Sequence, residues 1–195
     1  MKPFITLLFT AVLSASAAIA QTPFAVTGPL GSGTGSAISS VAIPATGYQK
    51  IRIQYLNATS DAASGALTFY KASGSNVSTV LTTSTSGQTV ITAVPYPGAA
   101  QNDVVVLHSY ATNTVARGAV AMTGSNSITL QANLPFNLSP GDKIYLMLSN
   151  GTITVGAATK EVTAPTIFAT SQGPALIDLS GTAACRINLV AGEYQ

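Results

Sequence analysis

Gln49-Lys50-Ile51-Arg52-Ile53-Gln54-Tyr55-Leu56 is the stretch that decides the fold class. Ile51, Ile53 and Tyr55 alternate with Lys50, Arg52 and Gln54. That period of two sets one face of a strand on a core and the other toward water. Working outward, runs rich in Val, Ile, Thr and Tyr recur at 66–71, 77–82, 88–94, 103–110, 114–122, 127–131, 143–149, 152–157, 166–169, 175–179 and 185–190. Gly, Pro, Ser and Asn separate them, and no window carries the 3.6-residue apolar spacing of a helix. Such spacing predicts an all-β protein, an antiparallel β-sandwich of jelly-roll-like or Ig-like type with about 10–13 short strands.

One hairpin is predicted in register. Asn150-Gly151 is the preferred pair for a type I′ turn, in which both central residues take positive φ. A two-residue loop there pairs Leu148 with Ile153, Leu146 with Val155 and Ile144 with Ala157, putting six apolar side chains on one face. Just upstream, Ser139-Pro140-Gly141-Asp142 carries the type II turn signature, Pro at the second position and Gly at the third. The stretch Leu138-Ser-Pro-Gly-Asp-Lys-Ile-Tyr-Leu146 is similar to segments in many jelly-roll modules, the trimeric complement-C1q-like ones among them. That resemblance implies a turn delivering the chain into a strand, and no function is carried across with it.

Residues 1–20 read as a signal peptide: Lys2, an apolar run from Phe4, and a small-residue site at Ala18-Ile19-Ala20, with cleavage after Ala20 and Gln21 as the first mature residue. Residues 21–40 hold Gly28, Gly31, Gly33 and Gly35 among serines and threonines, and read as a flexible Gly/Ser-rich N-terminal arm. Residues 41–195 read as a single sandwich domain, with loop tips expected at 84–87 and 118–126. No transmembrane helix is expected after the leader. An eight-stranded outer-membrane barrel fits less well, because its aromatic girdles and longer strands are missing from the pattern.

Charge is scarce: 8 Lys+Arg and 6 Asp+Glu, 7% of 195 residues, against roughly 25% in an average domain. Near-neutrality gives no footprint for nucleic acid and little repulsion between copies, so a homo-oligomer is an open partner. His108 is the sole histidine. Alternation sets it with Val104, Val106 and Tyr110, facing away from Asp103, and no Gly-x-Ser-x-Gly elbow occurs, so no catalytic residue is assigned. No metal site or cofactor is assigned either, since one His and one Cys do not make a zinc site. The hard-ion alternatives, Asp61 and Asp142, are read as turn residues. Cys185, the lone cysteine, is either a buried small hydrophobe or an interchain disulfide partner.

The aromatics offer the binding candidates. Tyr96, in Pro95-Tyr96-Pro97-Gly98, is expected on a stiff exposed loop, and Tyr70 opposite Phe69. Either ring would stack on a surface glycan or anchor a protein partner. The sequence therefore points to a secreted, non-enzymatic β-sandwich with a structural or adhesive role, extracellular or periplasmic. The alternatives are a carbohydrate-binding module and, less favoured, a hydrolase.

Overall fold

A computed structural model describes residues 22–29, 37–44, 50–60, 65–155, 158–162, 166–169, 173–181 and 184–195. The leader at 1–20 lies outside them. The strands are β1 (Thr22–Val26), β2 (Ala37–Ile43), β3 (Lys50–Ser60), β4 (Gly65–Val80), β5 (Val90–Val94), β6 (Val104–Ser109), β7 (Thr114–Gly124), β8 (Ser127–Leu130), β9 (Lys143–Val155), β10 (Ala158–Val162), β11 (Thr166–Ala169), β12 (Ala175–Gly181) and β13 (Cys185–Tyr194). Every pairing is antiparallel, and the protein is an all-β sandwich.

One sheet runs β1-β13-β3-β10, with β11 also along β3. The other runs β2-β12-β4-β5-β8-β7-β6-β9, and β9 returns to pair with β4. That last pairing closes β4, β5, β8, β7, β6 and β9 into a ring, which removes their open edges.

Three apolar layers follow from the alternation. The first lies between the two sheets and includes Ile51, Ile53, Leu56, Leu67, Phe69, Ile177 and Ile187. The second fills the ring with Val80, Ile91, Val105, Leu107, Val120, Ile128 and Ile144. This apolar interior is the reverse of the polar lumen of a membrane barrel. The third layer joins Ala72, Val106, Met147 and Leu176 to Ala42, Tyr70, Val104, Val115 and Tyr145. Here the β6–β7 hairpin crosses the outer face of β2, β12 and β4. Val105 and Leu107 serve the ring while Val104 and Val106 serve the third layer, so β6 is buried on both faces.

The structure corrects the predicted hairpin. Residues 143–155 form one continuous strand along β4, with Phe69 opposite Gly151 and Tyr70 opposite Ser149. Asn150 is the extra residue of a β-bulge, and of the pair only Gly151 takes positive φ, at 137°. The extra residue switches parity: Ile144 and Leu146 face the ring, Ile153 and Val155 face the first core, and Leu148 is exposed. Local turn preference yields because β4 is 16 residues long and pairs with β9 on both sides of Asn150, from Gly65 to Ala72 and again from Val77 to Thr79. The Ser139–Asp142 turn does form, with Gly141 at φ 95° and Asp142 N–H donating to the Ser139 carbonyl at 3.0 Å.

A second correction concerns the N-terminal arm. Its two ends are the strands β1 and β2, paired with β13 and β12. The buried Ser39 hydroxyl donates to the Pro29 carbonyl at 2.6 Å and accepts from Ile187 N–H at 3.0 Å. Residues 30–36, the glycine-rich middle, lie outside the described residues. The loop expected at 118–126 is likewise strand as far as Gly124. Cys185 is buried in the first core, its Sγ 3.4 Å from the Leu179 carbonyl oxygen.

Candidate functional site

The polar groups that face one another lie along the third layer. At one end, strand register aligns Ser40 of β2, Asp178 of β12, Thr68 of β4 and Thr152 of β9 in a single row. Ser40 Oγ donates to Asp178 Oδ1 at 2.7 Å, and the Thr68 and Thr152 hydroxyls lie 3.3 Å apart. From above, Arg117 of β7 donates through Nε to Asp178 Oδ2 at 2.7 Å. The Asp178 side chain is only 6% exposed, so this is a buried ion pair completed by a hydroxyl. Beside it, a cleft of about 410 Å³ between β2 and β7 is lined by Ile38, Ser40, Ala42, Val115 and Arg117.

Tyr70 stands one row along from Asp178, half-buried in the third layer while Phe69 enters the first core. Its hydroxyl is pushed above the ordinary pKa by burial first and by the Asp178 charge second, with Arg117 and Thr68 opposing. The ring is a packing element of the layer, with part of one edge open.

Tyr96 contradicts its expectation as an exposed ring: it is 2% exposed and packs into the ring core. Its hydroxyl donates to Asp103 Oδ2 at 2.7 Å, and the same oxygen accepts Ala100 N–H at 2.8 Å. Burial, then this bond, raises its pKa. Its N–H also donates to the Ser78 hydroxyl at 3.1 Å, so backbone and side chain are both held inside the second core. Tyr96 and Tyr70 are therefore not brought together on one surface.

At the other end of the layer, His108 of β6 is 2% exposed. It stacks on Tyr110 with centroids 4.4 Å apart and lies 6.4 Å from the Tyr145 ring. Nε2 is 3.2 Å from Asn113 Oδ1, and Nδ1 meets no hydrogen-bond partner. The Tyr110 and Tyr145 hydroxyls bond to each other. Asp142 lies near, but its oxygens accept Tyr110 N–H at 3.0 Å and Ser139 N–H at 2.7 Å. A histidine bonded to an amide, beside an acid already bonded to backbone, does not form a proton relay. Sequence reasoning missed Asn113 and Tyr145 as its partners, although the two-residue period does set Tyr145 on the side opposite Ile144.

This packing sets a pH dependence. Burial lowers the His108 pKa below its ordinary 6.5, with Asn113 and the Asp142 charge pulling weakly the other way. Lys143, paired with His108 across β6 and β9, adds no compensating negative charge. The stabilisation is complete above the unfolded value of 6.5 and is lost as pH falls toward the lower folded value, because the unfolded chain binds the proton first. The melting temperature should fall more steeply from about pH 7 to 5 in the wild type than in His108→Gln. Parallel curves would remove His108 from this account.

Among the described residues, no cluster of three His, Cys, Asp or Glu is placed to hold a metal ion, and no helix is long and apolar enough to cross a membrane. Asp61, the other turn acid, lies outside the described residues.

No family model matches the chain, and no curated protein matches it. Among solved structures, it is similar to the complex of the two major capsid proteins VP16 and VP17 of bacteriophage P23-77, at 8% identity and a TM-score of 0.19, over 83% of this chain and 100% of that one. It is also similar to the VP2 subviral particle of infectious bursal disease virus, at 14% identity and a TM-score of 0.14, over 99% of this chain and 46% of that one. Likenesses at these scores imply neither a shared fold nor a shared role.

Proposed function

We propose that this chain is a secreted, non-enzymatic β-sandwich with a structural or adhesive role at the cell surface or in an extracellular assembly. The observation that carries this reading is what Asp103, Asp142, Asp178 and Glu193 do. Asp103 holds Tyr96 and the 100–103 turn, Asp142 holds two backbone amides, Asp178 binds Arg117 and Ser40, and Glu193 binds Arg52 and Gln195. Each of these four carboxylates is committed to its own chain. A group so held is a structural anchor rather than a base, nucleophile or ligand donor. The surface that remains is dominated by hydroxyls, amides and small apolar side chains, which resist charge-driven binding and tolerate close neighbours.

Three measurements test this. Fractionation with N-terminal sequencing should find the protein outside the cytoplasm, starting at Gln21; a cytoplasmic protein retaining Met1 overturns export. Light scattering of the exported protein at high concentration should show self-association, and a monomer throughout overturns assembly. Selective glycan binding on an array would replace the structural reading with the carbohydrate-binding one.

A further inference from the structure

We propose that the outer face of β5, β8 and the end of β7 is a self-association surface, and that its occupant is the same face of a second copy of this chain. This rests on the assembly reading above and adds to it the surface and the partner.

The ring's alternation creates the face. Val80, Ile91, Ala93 and Ile128 point inward to the ring core, so their neighbours point out. Register sets Val90 opposite Thr129, and Thr129 opposite Met122, making one row across three strands. Val94 lies two pleats along β5 from Val90. Leu81 joins at the side, its N–H donating to the Thr92 carbonyl at 2.8 Å. Met122 is 62% exposed, Val90 51%, Val94 49% and Leu81 42%. Four of the seven exposed large hydrophobics among the described residues therefore share this face. A shallow groove of about 560 Å³ beside Val90 and Thr92 is lined by Thr83, Gln88, Thr89 and Asn133, hydroxyls and amides that make a polar border.

The charge pattern selects the occupant. Neither 72–102 nor 118–141, which supply this whole face, contains an Asp, Glu, Lys, Arg or His. A charged partner would lose hydration against it with no countercharge in return. The complementary surface is itself uncharged, apolar at the centre and rimmed by hydroxyls and amides, and the chain carries that surface. Two copies related by a twofold axis bring identical neutral rows together without like-charge repulsion.

The test is light scattering over a concentration series on the full exported protein, wild type against Val90→Lys/Met122→Lys. Both side chains are already more than half exposed, so the fold should survive, and a thermal melt of each variant checks this. The expected result is a wild-type dimer and a double variant whose dissociation midpoint rises at least about tenfold. Thr154→Lys, exposed on the other half of β9, should dimerise like the wild type. An oligomer that persists unchanged in the double variant overturns this surface and leaves assembly standing. A wild-type monomer at every concentration overturns both. If the lysine pair lowers the melting temperature, Val90→Thr/Met122→Gln takes its place, with weakened dimerisation expected and unchanged dimerisation refuting.

Discussion

Asp178→Ala should destabilise the protein by about 3 kcal/mol, since removing one partner of a buried ion pair strands the other. For a chain of this size that is a fall of roughly 6–12 °C in melting temperature. The reason is positional. Asp178 lies beneath the β6–β7 hairpin, accepts from Ser40 and Arg117, and is 5% exposed. Alanine leaves the Arg117 guanidinium facing a sheet with no counter-charge and frees the Ser40 hydroxyl. Arg117→Leu/Asp178→Leu should recover most of the loss, because an apolar pair of similar volume removes both desolvated charges together. Urea melts of Arg117→Leu, Asp178→Leu and the double variant measure this cycle. Additive losses would mean that the pair contributes nothing as a pair. Hydrogen exchange should also quicken in β6 and β7 of the alanine variant before it does in β3.

Gly192→Ala should cost a similar amount, about 3 kcal/mol, by the opposite mechanism of overfilling. Gly192 lies where β13 and β3 slip register, with Ala191 opposite Tyr55 and Gly192 opposite Ile53. A Cβ there would come within 2.2 Å of the Arg52 carbonyl oxygen, 2.9 Å of Phe24 Cζ and 3.0 Å of Ile53 Cα. Two of those three atoms are backbone, so no rotamer change relieves the contact. The strands must part where β13 also carries the 3.3 Å Arg52–Glu193 pair and the Phe24–Tyr194 ring contact at 5.0 Å. Thermal melts and limited proteolysis should show β1 and the end of β13 loosening together. A variant as stable as the wild type would mean that the bulge relaxes freely.

The sequence carried the fold class well, because half-buried strands announce themselves by alternation. The Ile51 and Ile53 alternation became β3, but the register slip at Gln54 passes the core face to Leu56 in place of the expected Tyr55, while the 166–169 run became β11 with the expected bounds. The features it carried poorly depend on distant partners. Asn150-Gly151 has a turn's local chemistry, and only the presence of a 16-residue β4 alongside makes it a bulge. Ala37–Ile43 sets Ser39 on the buried face with Val41 and Ile43 and leaves Ile38 exposed on the other, a weak signal beside a glycine-rich stretch, and it pairs along β12 as a strand. Tyr96 looked exposed between two prolines; its partner Asp103 stands seven residues on, and the bond between them is tertiary. The candidate site was legible in one respect. Asp142, read from the sequence as a turn residue, does hold its turn, accepting Ser139 N–H at 2.7 Å.

Strand order has a further consequence, for the timing of folding. β13, the strand latest in sequence, lies between β1 and β3, so the first sheet has a gap at its centre until residues 185–194 arrive. Ile187 and Val190 then complete the core beneath. Pairings that span most of the chain form slowly and resist premature closure. A nascent chain built this way leaves that sheet open until residues 185–194 have been made. For a protein exported through a narrow channel, as proposed here, that delay keeps the polypeptide threadable, and the sheet closes once the chain has reached the other side.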